Sequence, residues 1–459
     1  MSTAAPDAAV DPAALIRSRD YRRLLVLAAV IGLLVSLVSW GFLELVHYLQ
    51  EWVYQDLPDG LGFSSVPWWW PLPVLLVAGV LTAIAVLRLP GDGGHVPYEG
   101  IGGGPTRPVD LPGILLAALA SLGLGLVLGP EAPLIALGSG LAIFAVKRVR
   151  RDLPDQAVSV IAAAAAFAAL ATVFGSPVVG AVILIEAAGL GGPTLPLVLL
   201  PGLMASGIGS LVFTGLNRWT GLSNNDYALS PFTLPAYSRP TLAHLGWTVV
   251  LAVLAAVVVF AIVQAARASA VQVAKRPWVL IPAAALLVGV LAILFGRISD
   301  QPANAVLFSG ESGFDFLFTQ AGTLSLGTLL LLLVCKGGAW ALSLGSFRGG
   351  PTFPALFMGA VAGLLAAHLP GMAETPAVAG LMGAAAVSIL RLPLSAIVIA
   401  DLLTGRAGVA VAPIIIVAVV VAYITIESLP APGSRAMRAD RRASRALRRT
   451  STRSAEGEV

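Results

Sequence analysis

Apolar runs recur along nearly the whole chain, at about 24–49, 68–89, 111–128, 134–146, 156–173, 177–190, 194–215, 242–266, 277–296, 324–343, 354–368, 376–390, 393–404 and 408–428. Only 11% of the 459 residues are charged, against about a quarter in a soluble domain. A single water-soluble core cannot absorb so many apolar runs, whereas a bilayer can. In lipid each backbone N–H and C=O must find an internal partner, so runs of this length predict helices. The expected fold class is therefore an all-α polytopic membrane protein. A spanning helix needs about 20 apolar residues, and several runs are shorter. With 49 glycines and 32 prolines interrupting them, the short runs predict half-helices that stop at membrane depth.

Charge placement gives an expected orientation and domain plan. Arg17, Arg19, Arg22 and Arg23 precede the first apolar run, and eight arginines from Arg435 to Arg453 crowd the tail. Lys147, Arg148, Arg150 and Arg151 form one basic loop; Arg267, Lys275 and Arg276 form another. By the positive-inside rule these mark the cytoplasmic face. The plan is a cytoplasmic N-terminal segment (1–20), a transmembrane domain (21–430) and a basic cytoplasmic tail (431–459) of a multi-pass cell-membrane protein. The first run is long and follows basic residues, which predicts a retained helix, not a cleaved signal peptide. Glu51, Asp56 and Asp59, followed by Trp68, Trp69 and Trp70, predict an external loop ending in an interfacial aromatic belt. The polar 216–240 stretch is also expected outside. The arginine-rich ends fit a charged membrane flank better than a nucleic-acid site. One cysteine, Cys335, and four histidines exclude an internal disulfide framework and argue against a metal cluster. No cofactor is expected.

Two stretches align without gaps. Gly129-Pro130-Glu131-Ala132-Pro133-Leu134-Ile135-Ala136-Leu137-Gly138 and Gly350-Pro351-Thr352-Phe353-Pro354-Ala355-Leu356-Phe357-Met358-Gly359 both read G-P-x-x-P-x-x-x-x-G. Each is followed by a proline-led segment ending in an acid: Pro177 to Glu186, and Pro393 to Asp401. Two related halves, about 68–215 and 242–428, predict a transporter or channel with its site where the halves meet. The spacing leaves parallel and inverted halves equally open.

The repeated loops carry a specific chemistry. Proline is tolerated in the first turn of a helix, where its missing N–H costs nothing. The free N–H groups of that turn and the positive end of the helix dipole form an anion site in a low dielectric without a full charge. Pro133 and Pro354 are expected to open such helices. A third loop, Gly93-Gly94-His95-Val96-Pro97, precedes another apolar region, and its glycines let an ion approach the backbone. Glu131 is the sharpest residue: its carboxylate can occupy the anion site until it is protonated or displaced, although an acid there also suits an exposed helix cap. Glu186 and Asp401 suit solvated boundary acids or partners of a loop arginine. His95 suits a loop residue, with a proton-carrier role also open to it.

These residues resemble the CLC family of chloride channels and chloride/proton antiporters. The family's GSGIP, GREGP and GGIFxP motifs are similar to Gly93–Pro97, Gly129–Pro133 and Gly349–Pro354. Phe174-Gly175-Ser176-Pro177 through Glu186 and Gly310-Glu311-Ser312-Gly313-Phe314 also match the family in order. The resemblance implies a homodimer, each subunit an inverted repeat of tilted and re-entrant helices with one pathway for chloride or a similar small anion. It places Glu131 as the external gate and Gly94, His95, Val96, Pro130, Ala132, Gly350, Pro351, Thr352 and Phe353 around the anion. The family's coordinating serine is Gly94 here and the arginine before its gate is Pro130. Its internal proton-relay glutamate aligns with Ala187, leaving neighbouring Glu186 as the candidate for a proton path. Its C-terminal coordinating tyrosine would fall near Gly433–Ser434, and Tyr423 comes too early. The expected activity is passive or weakly proton-coupled chloride transport gated by Glu131. The alternatives are a proton-coupled chloride or fluoride antiporter and an intramembrane enzyme, for which no nucleophile or metal-ligand motif speaks.

Overall fold

A computed structural model describes residues 12–102, 104–149, 154–189, 195–221, 231–311 and 313–430. Arg150, Arg151, Ser312, residues 1–11 of the expected N-terminal segment and the arginine-rich tail fall outside the described residues.

Each expected apolar run contains a helix among the described residues. After a short α1 (Pro12–Arg17) come α2 (Arg19–Glu51), α3 (Leu57–Gly60), α4 (Pro71–Arg88), α5 (Leu111–Gly123), α6 (Glu131–Val149), α7 (Asp155–Phe174), α8 (Pro177–Ala187) and α9 (Leu195–Thr220). The second half holds α10 (Leu242–Val273), α11 (Pro277–Ser299), α12 (Gly313–Thr319), α13 (Leu326–Ser346), α14 (Thr352–Ala366), α15 (Glu374–Leu390), α16 (Pro393–Thr404) and α17 (Val411–Ser428). Among the described residues nine helices are long and apolar enough to cross a membrane, and α5 with its leading turn, α8, α14 and α15 are shorter apolar helices. Pro133 and Pro354 each stand two residues inside their helix, at the third position of the first turn. That is still among the positions whose N–H has no intrahelical partner.

The halves pack in matching order: α6 on α7 and α7 on α8 in the first, α14 on α15 and α15 on α16 in the second. They meet at the repeated motif itself. Gly129 and Gly350 form an isolated antiparallel bridge, with Gly129 N donating to Gly350 O (2.7 Å) and Gly350 N to Gly129 O. Equivalent residues exchanging reciprocal bonds antiparallel to one another are related by a local two-fold axis. The two copies of the motif therefore run antiparallel where the halves meet, the arrangement expected of inverted halves.

Close helix packing comes from small residues. Gly359 and Gly363 lie four apart on α14, and a Cβ on either would strike the α15 backbone at Leu381–Met382 or Val378. In lipid, where burial adds little between helices, such backbone approach is a main source of cohesion. The aromatic cluster of the 52–70 loop divides: Trp68 and Trp69 are exposed, whereas Trp70 is buried and donates Nε1–H to Val53 O at 2.9 Å. Two of the three tryptophans therefore suit an interfacial belt, and the third locks the loop.

Candidate functional site

The N-termini of α14 and α16 begin without side-chain caps of their own. Pro351 and Leu392 occupy their cap positions and offer no hydrogen-bonding side chain. Both helices are capped from the other half. Glu131, fully buried at the start of α6, accepts the Phe353 N–H on Oε1 at 3.1 Å. Glu186, at the end of α8, accepts Leu394 N (2.8 Å) and Ser395 N (2.7 Å), and Ser395 Oγ donates to it at 2.6 Å. By contrast α8 uses its own Ser176.

Glu131 thus caps a helix, but a buried one in the opposite half. Its carboxylate occupies the place that the dipole and first-turn N–H groups of α14 offer to an anion. Its Oε2 and the Thr352 hydroxyl are buried without a hydrogen-bond partner among the described residues. Gly350 is required beneath it: a Cβ there would overlap Glu131 Oε2. Gly350, Pro351, Thr352 and Phe353 are all buried around this carboxylate, and Phe174 closes the site with its ring centroid 5.6 Å from that of Phe353.

Two cavities flank this point. One of about 390 Å³ is lined by Gly94, His95, Ala132, Pro133, Arg348 and Gly349 among others. The other, of about 30 Å³, is lined by Pro130, Glu311, Ser309 and, from the C-terminal end of α2, His47 and Gln50. Glu131 lines neither, and the residues on either side of it divide between them. Of the residues expected around the anion, Gly94, His95 and Ala132 line the first cavity and Pro130 the second, whereas Val96, Gly350, Pro351, Thr352 and Phe353 line neither.

The first loop departs from expectation. Pro97 opens a three-residue 3-10 turn, Pro97–Glu99, not a membrane helix; α5 starts only at Leu111. Glycines with positive φ at Gly93, Gly94, Gly100 and Gly102 keep the backbone irregular in between. No long-helix dipole therefore stands behind Gly94, His95 and Val96. The His95 imidazole Nε2 lies 3.0 Å from Gly100 O, which commits its one neutral N–H to that carbonyl and leaves Nδ1 an acceptor. Burial lowers the His95 pKa from the ordinary 6.5, so the ring is neutral at pH 7 and its side chain is not an anion donor there.

Glu186 is neither solvated freely nor paired with an arginine, the two roles expected for a boundary acid. It holds the N-terminus of α16. Glu186→Gln removes charge-assisted bonds worth about 1.5–3 kcal/mol each. The expected result is a lower melting temperature and faster protease cleavage near Leu392–Ser395, read on the purified protein.

The motifs assign no role to three residues that the structure brings forward. Lys336 is fully buried on α13, and its Nζ donates to Ala305 O (3.0 Å), Val306 O (3.1 Å), Leu307 O (3.0 Å) and Phe308 O (3.4 Å). It also lies 4.5 Å from the Phe357 ring centroid. This lysine fixes the loop that delivers Glu311, whose Oε1 is buried without a partner among the described residues. Arg348, next to the third motif, is the remaining candidate. A lone lysine inside an apolar run, Cys335-Lys336-Gly337, was the available signal for the first.

Comparison with known proteins agrees with this architecture. A family model described as voltage gated chloride channel matches residues 97–427. The YfeO protein of Escherichia fergusonii, to which ion transport is ascribed, is 29% identical over 371 residues, covering 78% of this chain and 82% of that protein. YfeO of Escherichia coli K12 matches at the same identity and coverage. Among solved structures, a slow cyanobacterial Cl-/H+ antiporter superposes with a TM-score of 0.71 at 21% identity, covering 88% of this chain and 94% of its own. A CLC-type fluoride/proton antiporter does so with a TM-score of 0.64 at 20% identity, covering 88% and 95%.

Proposed function

The chain belongs to the voltage gated chloride channel family, CLC, and on that premise we propose that it carries chloride or a similar small anion across the cell membrane through a pathway gated by Glu131. The observation that carries this reading is the buried Glu131 carboxylate seated on the N-terminus of α14 between two cavities. A carboxylate and a halide compete for the same N–H groups, so an arriving anion or proton releases the gate. The backbone supplies the attraction without a fixed cation in contact, which keeps binding weak enough for release. Anion-binding roles fall to the backbone of Gly350, Pro351, Thr352 and Phe353 on one side and of Pro130 and Ala132 on the other. Gly94 and His95 border the approach.

The cavity near Gly94 faces the cytoplasm in this reading, because α4 ends beside it at Arg88 and α6 runs from it to Lys147 and Arg148. The N- and C-termini then lie inside, and the working unit is a homodimer. Purified protein in chloride-loaded vesicles is expected to release chloride once a potassium ionophore clamps the voltage. No release above empty vesicles contradicts the proposal.

Proton-coupled exchange is the second reading. The two antiporters with the same fold favour it, with Glu186 as the candidate on the proton path. A chloride gradient then drives proton uptake seen with a pH dye; robust chloride flux without it leaves the passive mode standing.

Gly350→Ala tests the gate from the floor of its site. The new Cβ overlaps Glu131 Oε2 and must expel the carboxylate. Its flux is expected to follow that of Glu131→Ala, in chloride efflux from vesicles, and not that of the wild type.

A further inference from the structure

The larger cavity is lined by one cation that no described residue neutralises by contact. Arg348 lines it, between the end of α13 and the third motif. Its Nε donates to Asp92 O and its Nη1 to Phe347 O, both at 3.1 Å. A guanidinium has five N–H donors, and the other three meet no described residue. Arg348 is in no ion pair within 4.0 Å among the described residues. Burial disfavours its charge, and Asp92 favours it from farther off but is exposed to solvent. The cavity's other arginine, Arg107, is already matched: it forks onto Asp110 at 2.9 and 3.0 Å.

The two carbonyl bonds hold the guanidinium rigidly, and both come from backbone, so they fix its position without cancelling its charge. Gly93 packs against its stem, where a Cβ would stand 3.3 Å from Arg348 Cγ. Opposite, Ala132 and Pro133 present the first turn of the 19-residue helix α6 to the same space. A positive dipole end and a fixed, under-coordinated guanidinium thus share one solvent-sized volume. His95 contributes no competing charge, being neutral, and no donor.

We propose that Arg348 is an anion-binding residue that holds a small anion in this cavity, one step short of the Glu131 gate. The proposal rests on the anion-transport reading and adds a side-chain ligand to it. The site recruits the anion from the cytoplasmic side in the orientation proposed above. Unlike the site under Glu131, it carries a full charge, so it concentrates the ion and passes it to the weaker backbone site.

The test is chloride binding to the purified full-length protein, measured by calorimetry with ionic strength held constant by potassium gluconate, alongside vesicle flux. Arg348→Gln keeps hydrogen-bonding capacity and loses the charge; Arg348→Lys keeps the charge and loses the fork. A charge-assisted contact implies that Arg348→Gln weakens chloride binding about tenfold or more, while Arg348→Lys stays within about threefold. A purely structural arginine predicts instead that both variants lose melting temperature and neither changes affinity in the folded fraction. Wild-type flux together with unchanged chloride affinity in a folded Arg348→Gln overturns this proposal alone. Absence of both flux and binding in the wild type overturns the transport reading beneath it.

Discussion

Glu131→Gln is expected to bind chloride about ten- to a hundredfold more tightly than the wild type, because it no longer competes for the α14 N-terminus with a charged acceptor. The estimate follows from the 1.5–3 kcal/mol that a hydrogen bond to a charged group contributes. In the wild type the carboxylate holds the Phe353 N–H, and an anion must replace it. The neutral amide keeps the size of the side chain and gives up its negative charge. The same substitution removes the proton from the mechanism. Acidification neutralises the wild-type carboxylate and frees the site, so wild-type flux rises as pH falls. Glu131→Gln already lacks the charge, so its flux is expected to be flat with pH at the acid-limit rate. Vesicle efflux at a series of pH values reads both effects. A variant with wild-type affinity and wild-type pH dependence removes Glu131 from the gate.

Lys336→Met carries the second large effect, on stability. Methionine matches the reach of lysine and packs well in an apolar wall, but it cannot donate. The carbonyls of Ala305, Val306, Leu307 and Phe308 then lose their common partner inside the protein. A buried polar group left unpaired costs about 1–3 kcal/mol, so a loss of at least ~3 kcal/mol is expected for the set. The 305–311 loop should also shift, since Gly310 sits at φ +97° with no room for a Cβ against Phe357 and relies on the same anchor. Melting of the detergent-solubilised variant checks the stability, and altered flux would report the displacement of Glu311 beside the smaller cavity. A Lys336→Met protein that melts with the wild type contradicts this account of the lysine.

Much of this was legible before any coordinates, and for definite reasons. Apolar runs became helices because lipid leaves the backbone no other way to pair. The Gly-Pro loops were legible because they occur twice, and repetition carries more weight than either copy. Glu131 stood out as an acid with no basic neighbour at the head of an apolar run. Its partner was hidden, since Phe353 lies 222 residues away and only the inverted packing of the halves brings α14 to it. Glu186 was misjudged for the same reason: its role as a cap exists only across the α8–α16 contact. The distance from Pro97 to the next helix was not legible, because the glycines at Gly100 and Gly102 adopt positive φ and postpone that helix to Leu111. Arg348 gave no signal beside the motif it adjoins, because its free donors depend on a cavity that several elements enclose.

The most direct test of the central claim is the anomalous signal of bromide in crystals of the wild type and of Glu131→Ala. The account predicts a bromide peak within hydrogen-bond reach of Phe353 N in the variant, at the place the carboxylate holds in the wild type, and no peak there while the carboxylate remains. A variant that carries anions in vesicles yet shows no bromide at the α14 N-terminus would contradict it.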